Sequence, residues 1–344
     1  MHILRSFLIV FGLVSSLSQV AGQTTFQAAF WNVENLFDTT NALNVSDEDF
    51  TPSGRYEWTE DRLNKKLQDI SFVIQHMNNS GRLAIIGLSE IENREILDRL
   101  NTDFITSEYE IVHKESPDER GIDCALLYDP KLLRLYNRAF LPVFLGGEEK
   151  TRDIVEAEFK YLRDQKGPSL FVFVNHWPSR WGGQEKTDPL RRKAAATLRN
   201  RIDQILSNDP DADIIIMGDL NDNPQDPSVT EVLRAKKMSP LPLPGDLVNT
   251  MWPIHEDPNQ GSAMYRGVWG CIDQIIISRG LMDSDGFSWS LNSTTIFKPD
   301  YLIEAEGEYA GWPFRMFRRG TYTGGFSDHL PVTCQIVVNP RSGR

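Results

Sequence analysis

The 344-residue chain has only three cysteines, Cys124, Cys271 and Cys334. An odd count without paired C-x-x-C spacing excludes a disulfide framework and a thiolate metal site, and each lies in an apolar segment where a small buried thiol is expected. Long apolar runs are missing after the first residues, so no later segment can cross a bilayer as a helix. Basic charge is in deficit: 36 Lys and Arg against 48 Asp and Glu give a net charge of −12. Such a body repels polyanions at long range, which disfavours tight sequence-independent binding to long duplex DNA. A small phosphate ester, or a nucleic acid held through a bound cation, stays compatible with that charge. Also absent are a G-x-S-x-G elbow, a P-loop lysine motif and H-E-x-x-H, which removes support for a serine hydrolase, an NTPase and a zinc hydrolase.

The first residues, "MHILRSFLIVFGLVSSLSQVAGQ", combine Arg5, an apolar run from Phe7 to Val14, and small residues ending at Gly22. This is the plan of a secretory signal peptide, with cleavage expected after Gly22. The run is shorter than the roughly 20 apolar residues that span a bilayer. The expectation is an exported protein, periplasmic or secreted, with residues 1–22 removed and 23–344 forming one catalytic domain. The mature chain is expected to be monomeric, without a membrane span.

Short β-rich runs recur at 26–33, 83–90, 122–128, 154–160, 170–176, 213–219, 272–278 and 332–338. Several are apolar throughout, as in sheets covered on both faces. Helices alternate with them: Leu63, Leu67, Ile70, Ile74 and Met77 mark one face of a helix over about 60–78. Leu190, Ala194, Leu198, Ile202 and Ile205 mark a second, and a shorter helix is predicted over about 94–103. Without a Ser- or Gly-rich linker or a repeat, the chain reads as one α/β domain. Residues 39–58 and 297–325 read as long loops, of the kind that often bind ligands.

Polar residues collect at the strand ends. Asn32 ends the first run, Glu90 the second, Asn175 and His176 the fifth, and Asp219 and Asn221 the sixth, while Asp273 opens the seventh. Asp328 and His329 stand just before the last, in "GFSDHLPV". Singly, each has a bland explanation: Asn32, Asp219 and Asn221 suit turns, and Glu90 suits a helix start. Together they can meet along one rim of a sheet, where α/β proteins build sites. Asp273, beside the run Ile275–Ile277, needs a partner if buried, and His329 is the candidate. Carboxylate and amide oxygens without thiolates suit Mg²⁺ or Mn²⁺, and an Asp-His pair can move a proton or orient water.

The ordered set "WNVEN", "SEIEN", "NHWPSR", "GDLND", "IDQIII" and "SDHLPV", spread over nearly the whole mature chain, resembles the endonuclease/exonuclease/phosphatase superfamily. The resemblance implies a deoxyribonuclease-like four-layer sandwich, two packed mixed β-sheets flanked by helices. It also implies metal-dependent phosphoester hydrolysis at the rim. By position it makes Glu90 the principal metal ligand, with Asn32 and Asp328 beside it. It makes Asp219 the water-activating acid, Asn221 and His176 the phosphate-binding groups, His329 the catalytic histidine and Asp273 the acid fixing its ring. Two departures stand out: Ser89 occupies the place of a frequent glutamine, and "RGIDCALLY" offers Asp123 where repair endonucleases carry a tyrosine.

The expected activity is an exported Mg²⁺- or Mn²⁺-dependent phosphodiesterase, nuclease-like, using in-line water attack. The alternatives are a lipid or inositol phosphate phosphoesterase, sphingomyelinase-like, and a non-catalytic binding protein on the same scaffold. Asn175, Arg180 and Arg315 are candidate substrate-binding residues. Arg191, Arg192, Arg318 and Arg319 lie nearby in sequence with Trp177, Trp181, Trp312 and Phe314, and such interleaving can hold phosphates and stack bases.

Overall fold

The computed structural model describes residues 24–105, 108–147, 149–239 and 243–339, so the predicted signal segment lies outside it. In chain order the elements are β1 (Thr24–Leu36), α1 (Glu60–Asn79), β2 (Leu83–Ile91), α2 (Arg94–Arg99), β3 (Glu110–His113), β4 (Asp123–Tyr128), β5 (Leu133–Leu141), β6 (Ile154–Tyr161) and β7 (Leu170–His176). There follow α3 (Gln184–Asn208), β8 (Asp213–Asp219), β9 (Ala235–Lys236), β10 (Leu247–Asn249), β11 (Ala263–Tyr265), β12 (Val268–Gly270) and β13 (Asp273–Ser278). The chain closes with β14 (Gly286–Trp289), β15 (Thr295–Ile296), β16 (Phe317–Arg318), β17 (Thr321–Tyr322) and β18 (Val332–Asn339).

These strands build two seven-stranded mixed sheets. One runs β14-β18-β1-β2-β4-β3 with β15 also on β18, and the other runs β5-β6-β7-β8-β13-β10-β9. Each centres on a parallel pair, β1 with β2 and β7 with β8. Side-chain alternation explains the layers. Ile215 and Met217 face the other sheet and meet Phe30, Ile85 and Val172 in the central core, while Ile214 and Ile216 turn outward onto Ala194, Leu198 and Ile202 of α3. On the opposite outer face, Leu63, Leu67, Ile70 and Ile74 of α1 cover Trp31, Ile86 and Leu88. The result is the expected sandwich, with each fully buried aliphatic side chain contributing about 1.5–3 kcal/mol.

The three cysteines are buried and unbridged, as expected. Two readings of local structure change. The helix predicted to reach residue 103 leaves α geometry after Arg99, and residues 100–104 form a wider turn. The second long loop is not featureless: it carries the β16/β17 hairpin, and Phe317 packs with Phe50, Tyr56 and Trp58 from the first long loop. Among the described residues, no helix is long and apolar enough to cross a membrane.

Candidate active site

Backbone register alone aligns three of the polar strand ends. His176 pairs with Asp219 across β7 and β8, and Asp219 pairs with Asp273 across β8 and β13, so the three occupy one rung of the sheet. Gly218 makes the close approach possible: a Cβ there would lie 2.4 Å from the carbonyl oxygen of Asn175 and push β7 off β8. All three rung residues are buried. His329 reaches them from the turn before β18. Ser327 fixes that turn by donating Oγ–H to the Asn32 carbonyl at 2.7 Å and accepting the His329 N–H at 3.0 Å. Trp31 adds an indole donation to the His329 carbonyl at 2.9 Å. The His329 Nδ1–H then donates to Asp273 Oδ2 at 2.7 Å, and Nε2 points toward Asp219 Oδ2, 3.9 Å away.

The other sheet contributes Asn32 and Glu90. Pairing with neighbouring strands slips after Asn32 and again between Ser89 and Ile91. Glu90 (φ 63°) and Glu34 (φ 54°) are in the left-handed region, and Asn221 (φ 51°) is too. Such bulges re-aim side chains at about 1–3 kcal/mol each, and here they turn carboxylates into the cleft. Glu90 Oε2 accepts the Asn35 N–H at 2.9 Å, and Oε1 lies 3.8 Å from His176 Nε2. Asn32 bridges the two sheets, its Nδ2 donating to Asp219 Oδ2 at 3.1 Å and Glu90 Oε1 at 3.3 Å. Asn32, Glu90, His176, Asp219, Asp273 and His329 therefore meet in one cleft.

Burial sets the electrostatics. It pushes the Asp219 carboxyl up to about 7, with His329 opposing and Asp273 reinforcing the rise. Burial also resists charging of His329, but Asp273, Asp219 and Asp328 together outweigh it and hold the ring well above its ordinary pKa. His176 goes the other way: burial, then Arg152, Arg120 and His329, drive it well below the usual range, so it is neutral. The cleft thus holds an imidazolium, a neutral imidazole and a carboxyl that gains and loses a proton near neutrality, a division of labour suited to acid-base work. Asn221 extends from the same turn as Asp219, its backbone N–H on Asp219 Oδ1 at 2.9 Å and its Nδ2 on the Trp177 carbonyl at 3.0 Å.

Several sequence expectations change. Asn32 turns its nitrogen to the carboxylates, while its Oδ1 accepts the Glu34 N–H at 3.0 Å, so in this arrangement it orders Glu90 and Asp219. Asn175 is fully buried, accepting the Trp177 indole N–H at 3.2 Å and donating to the Met217 carbonyl at 3.3 Å, so it fixes the strand end and does not face substrate. Arg180 is spent on the protein: Nε donates to the Asn221 carbonyl at 2.5 Å, and the guanidinium pairs with Asp226 at 2.8 Å and Asp222 at 3.3 Å. Arg191 is buried against Asp222 at 2.7 Å. Arg318 pairs with Glu304 and stacks on Tyr309. Asp328 does reach the cleft, where its carboxylate pairs with Arg315 at 3.0 Å.

Four residues escaped the sequence reading. Glu34, inside the quoted "WNVEN", is buried and grips the second long loop: Oε1 accepts Arg315 Nε at 3.2 Å and Oε2 accepts the Met316 N–H at 2.7 Å. Lys66 is buried on α1 with Nζ on the Phe326 carbonyl at 2.5 Å. Its place between Leu63 and Leu67 on the apolar stripe was the available signal. Ser327 carries no signal beyond its turn, and Arg152, donating to the His176 and Trp177 carbonyls, comes from an unremarkable stretch. Asp123, in the place of the tyrosine, pairs with His113 at 3.1 Å, while Ser89 Oγ is buried without a hydrogen-bond partner among the described residues.

The donor set fits a hard divalent cation. Asp219, Asp273 and His329 each bring a ligand atom to within 4.8 Å of the others. Asp273 Oδ1 and His176 Nδ1 are buried with no hydrogen-bond partner among the described residues. Clustered carboxylates of this kind, in a cleft without thiolates, are relieved by an oxygen-seeking ion.

Solved structures share the architecture. Truncated Caenorhabditis elegans TDP2 superposes with a TM-score of 0.53 at 15% identity, covering 91% of this chain and 97% of that one. D. rerio TDP2 complexed with single strand DNA product gives 0.53 at 14% identity, covering 91% and 99%. An endonuclease/exonuclease/phosphatase family protein from Bacteroides thetaiotaomicron gives 0.51 at 15% identity, covering 92% and 99%. Among curated proteins, none matches the sequence. The model of the Endonuclease/Exonuclease/phosphatase family matches residues 27–338, almost the whole described chain. With the sandwich and the cleft in agreement with that match, the chain belongs to the endonuclease/exonuclease/phosphatase family of phosphoric ester hydrolases.

Proposed function

We propose that the chain is an exported, Mg²⁺- or Mn²⁺-dependent phosphodiesterase of nuclease-like specificity. The observation that carries the reading is the shared rung of His176, Asp219 and Asp273, closed by His329 on Asp273 at 2.7 Å. Asp219, kept near neutrality by burial, accepts a proton from the attacking water. The Asp273-held His329 imidazolium donates to a phosphoryl or leaving-group oxygen, and Asn221 and neutral His176 hydrogen-bond the equatorial oxygens. Glu90 is the residue that would hold a divalent ion, which when bound would supply charge neutralisation at the phosphoryl group. Two features support a nucleic acid strand as substrate: the fold is shared with a TDP2 captured with single strand DNA product, and Trp181 stands 90% exposed five residues beyond His176. Export rests on the tripartite pattern of residues 1–22.

The deciding experiment offers DNA, RNA, sphingomyelin and inositol phosphates side by side, with and without chelator. Chelator-sensitive cleavage of a nucleic acid is the expected result. Turnover of sphingomyelin or an inositol phosphate alone transfers the assignment to a lipid or inositol phosphoesterase. No turnover of any substrate leaves the binding-protein reading.

A further inference from the structure

The carboxylates of the cleft fall into two groups, and only one of them has fixed cations. Asp219 and Asp273 lie with the two imidazoles, whereas Glu34 and Asp328 are bridged by one guanidinium: Arg315 is 3.1 Å from Glu34 Oε1 and 3.0 Å from Asp328 Oδ2. Lys66 lies behind them, buried, its ammonium on the carbonyl of Phe326 two residues before Asp328. Glu34, Glu90 and Asp328 are the charges that this ammonium and guanidinium both serve. Arg315 thus already places a positive charge between Glu34 and Asp328. A metal ion beside Asp328 would sit against that guanidinium. Arg315 cannot readily withdraw, because Glu34 also takes the neighbouring Met316 N–H at 2.7 Å, and a left-handed backbone aims Glu34 at both.

We infer that Arg315, backed by Lys66, fills the place of a second metal ion beside Asp328, so that the cleft takes one ion, at Glu90. The inference rests on the metal-dependent reading above. Asp328 then serves as the anchor that aims the guanidinium at the phosphate, and Arg315 supplies charge to the substrate without exchanging with solvent ions. Lys66 is a positioning residue in this account.

The test counts Mn²⁺ bound to the full chain, by electron paramagnetic resonance of free Mn²⁺ and by calorimetry, without substrate. The wild type is expected to hold one ion that Glu90→Gln removes and Asp328→Asn leaves in place. Arg315→Ala, whose side chain is partly exposed, and Arg315→Ala with Lys66→Met are expected to gain one further ion that Asp328→Asn removes. A wild-type ion that Asp328→Asn abolishes overturns the inference, as does an Arg315→Ala protein that stays folded and gains none. A wild-type cleft ion that Glu90→Gln leaves in place belongs to the Asp219, Asp273 and His329 group and overturns the inference, whereas a wild type with no cleft ion removes the metal-dependent reading itself. An ion at the separate His113, Glu115 and Asp123 group responds to neither substitution and is not counted.

Discussion

His329 donates its Nδ1–H to Asp273 at 2.7 Å across 56 positions of sequence, and this bond decides which proton the cleft can offer. With Asp273 buried, the imidazolium is the form that the pair stabilises. Asp273→Asn keeps the shape and removes the charge. Turnover of bis-p-nitrophenyl phosphate is expected to fall on the order of 10²–10⁴-fold, the usual worth of a positioned acid-base group. The His329 ring signals should titrate at lower pH by NMR. Unchanged titration with reduced turnover would assign Asp273 a different task.

Glu90→Gln replaces the charge that faces the cation while retaining an acceptor for the Asn35 N–H. Metal-stimulated hydrolysis should drop by about a hundredfold or more, the scale of a lost charge-stabilising group. Thermal unfolding should shift little, because the strained backbone at Glu90 is kept. Wild-type turnover in this variant contradicts the assignment.

Arg180 separates a substrate contact from a scaffold. Its donation to the Asn221 carbonyl and its pairing with Asp222 and Asp226 hold the turn that carries Asp219 and Asn221. Arg180→Ala is expected to lower kcat by roughly tenfold through misplacement of Asn221. KM and its dependence on salt should stay near the wild-type values. A rise in KM that steepens with salt would restore Arg180 to the substrate.

Asp213 opens β8 at the opposite end of that strand from the rung, buried, with Oδ2 accepting the Phe287 N–H at 3.0 Å. Burial raises its pKa from 3.8 to about 8, the Phe287 bond opposing. The fold therefore favours the protonated form. Its stabilisation is complete below the unfolded value near 3.8 and is lost as pH climbs through about 8. Asp213→Asn keeps an acceptor and cannot ionise. Relative to this variant, the wild type should lose stability by on the order of 1 kcal/mol per pH unit between pH 5 and 8. Parallel Tm profiles from pH 5 to 9 would show that the carboxyl is solvated.

The fold was legible wherever burial covers both faces of a strand. The runs ending in His176 and Asp219 have the expected bounds, because continuous apolar residues flanked by polar ends admit few registers. β5 was not legible: Arg134, Asn137 and Arg138 on an exposed edge strand imitate a loop. At the site, residue identity pointed to the cleft but orientation did not follow from it. Arg180 read as substrate-binding because its partner Asp226 lies 46 positions away, and nothing in the motif of Asn32 reveals that its nitrogen faces Asp219 while its oxygen takes the Glu34 N–H. Glu34 and Lys66 were hidden by their charge, since their burial depends on Arg315 and Phe326 from a loop near the other end of the chain.

The rung shared by His176, Asp219 and Asp273 has an evolutionary corollary. Its spacing is dictated by interstrand hydrogen bonding, at about 4.8 Å per step, and owes nothing to the connecting segments. Chemistry and selectivity are thereby uncoupled: exposed positions on the connecting segments, such as Trp181, can be exchanged or recharged while the reactive trio keeps its pitch, provided that Arg180 and Arg315 stay. Chimeras that carry another member's segments but keep Arg180 and Arg315 should inherit the donor's preferences and retain this chain's intrinsic hydrolytic rate.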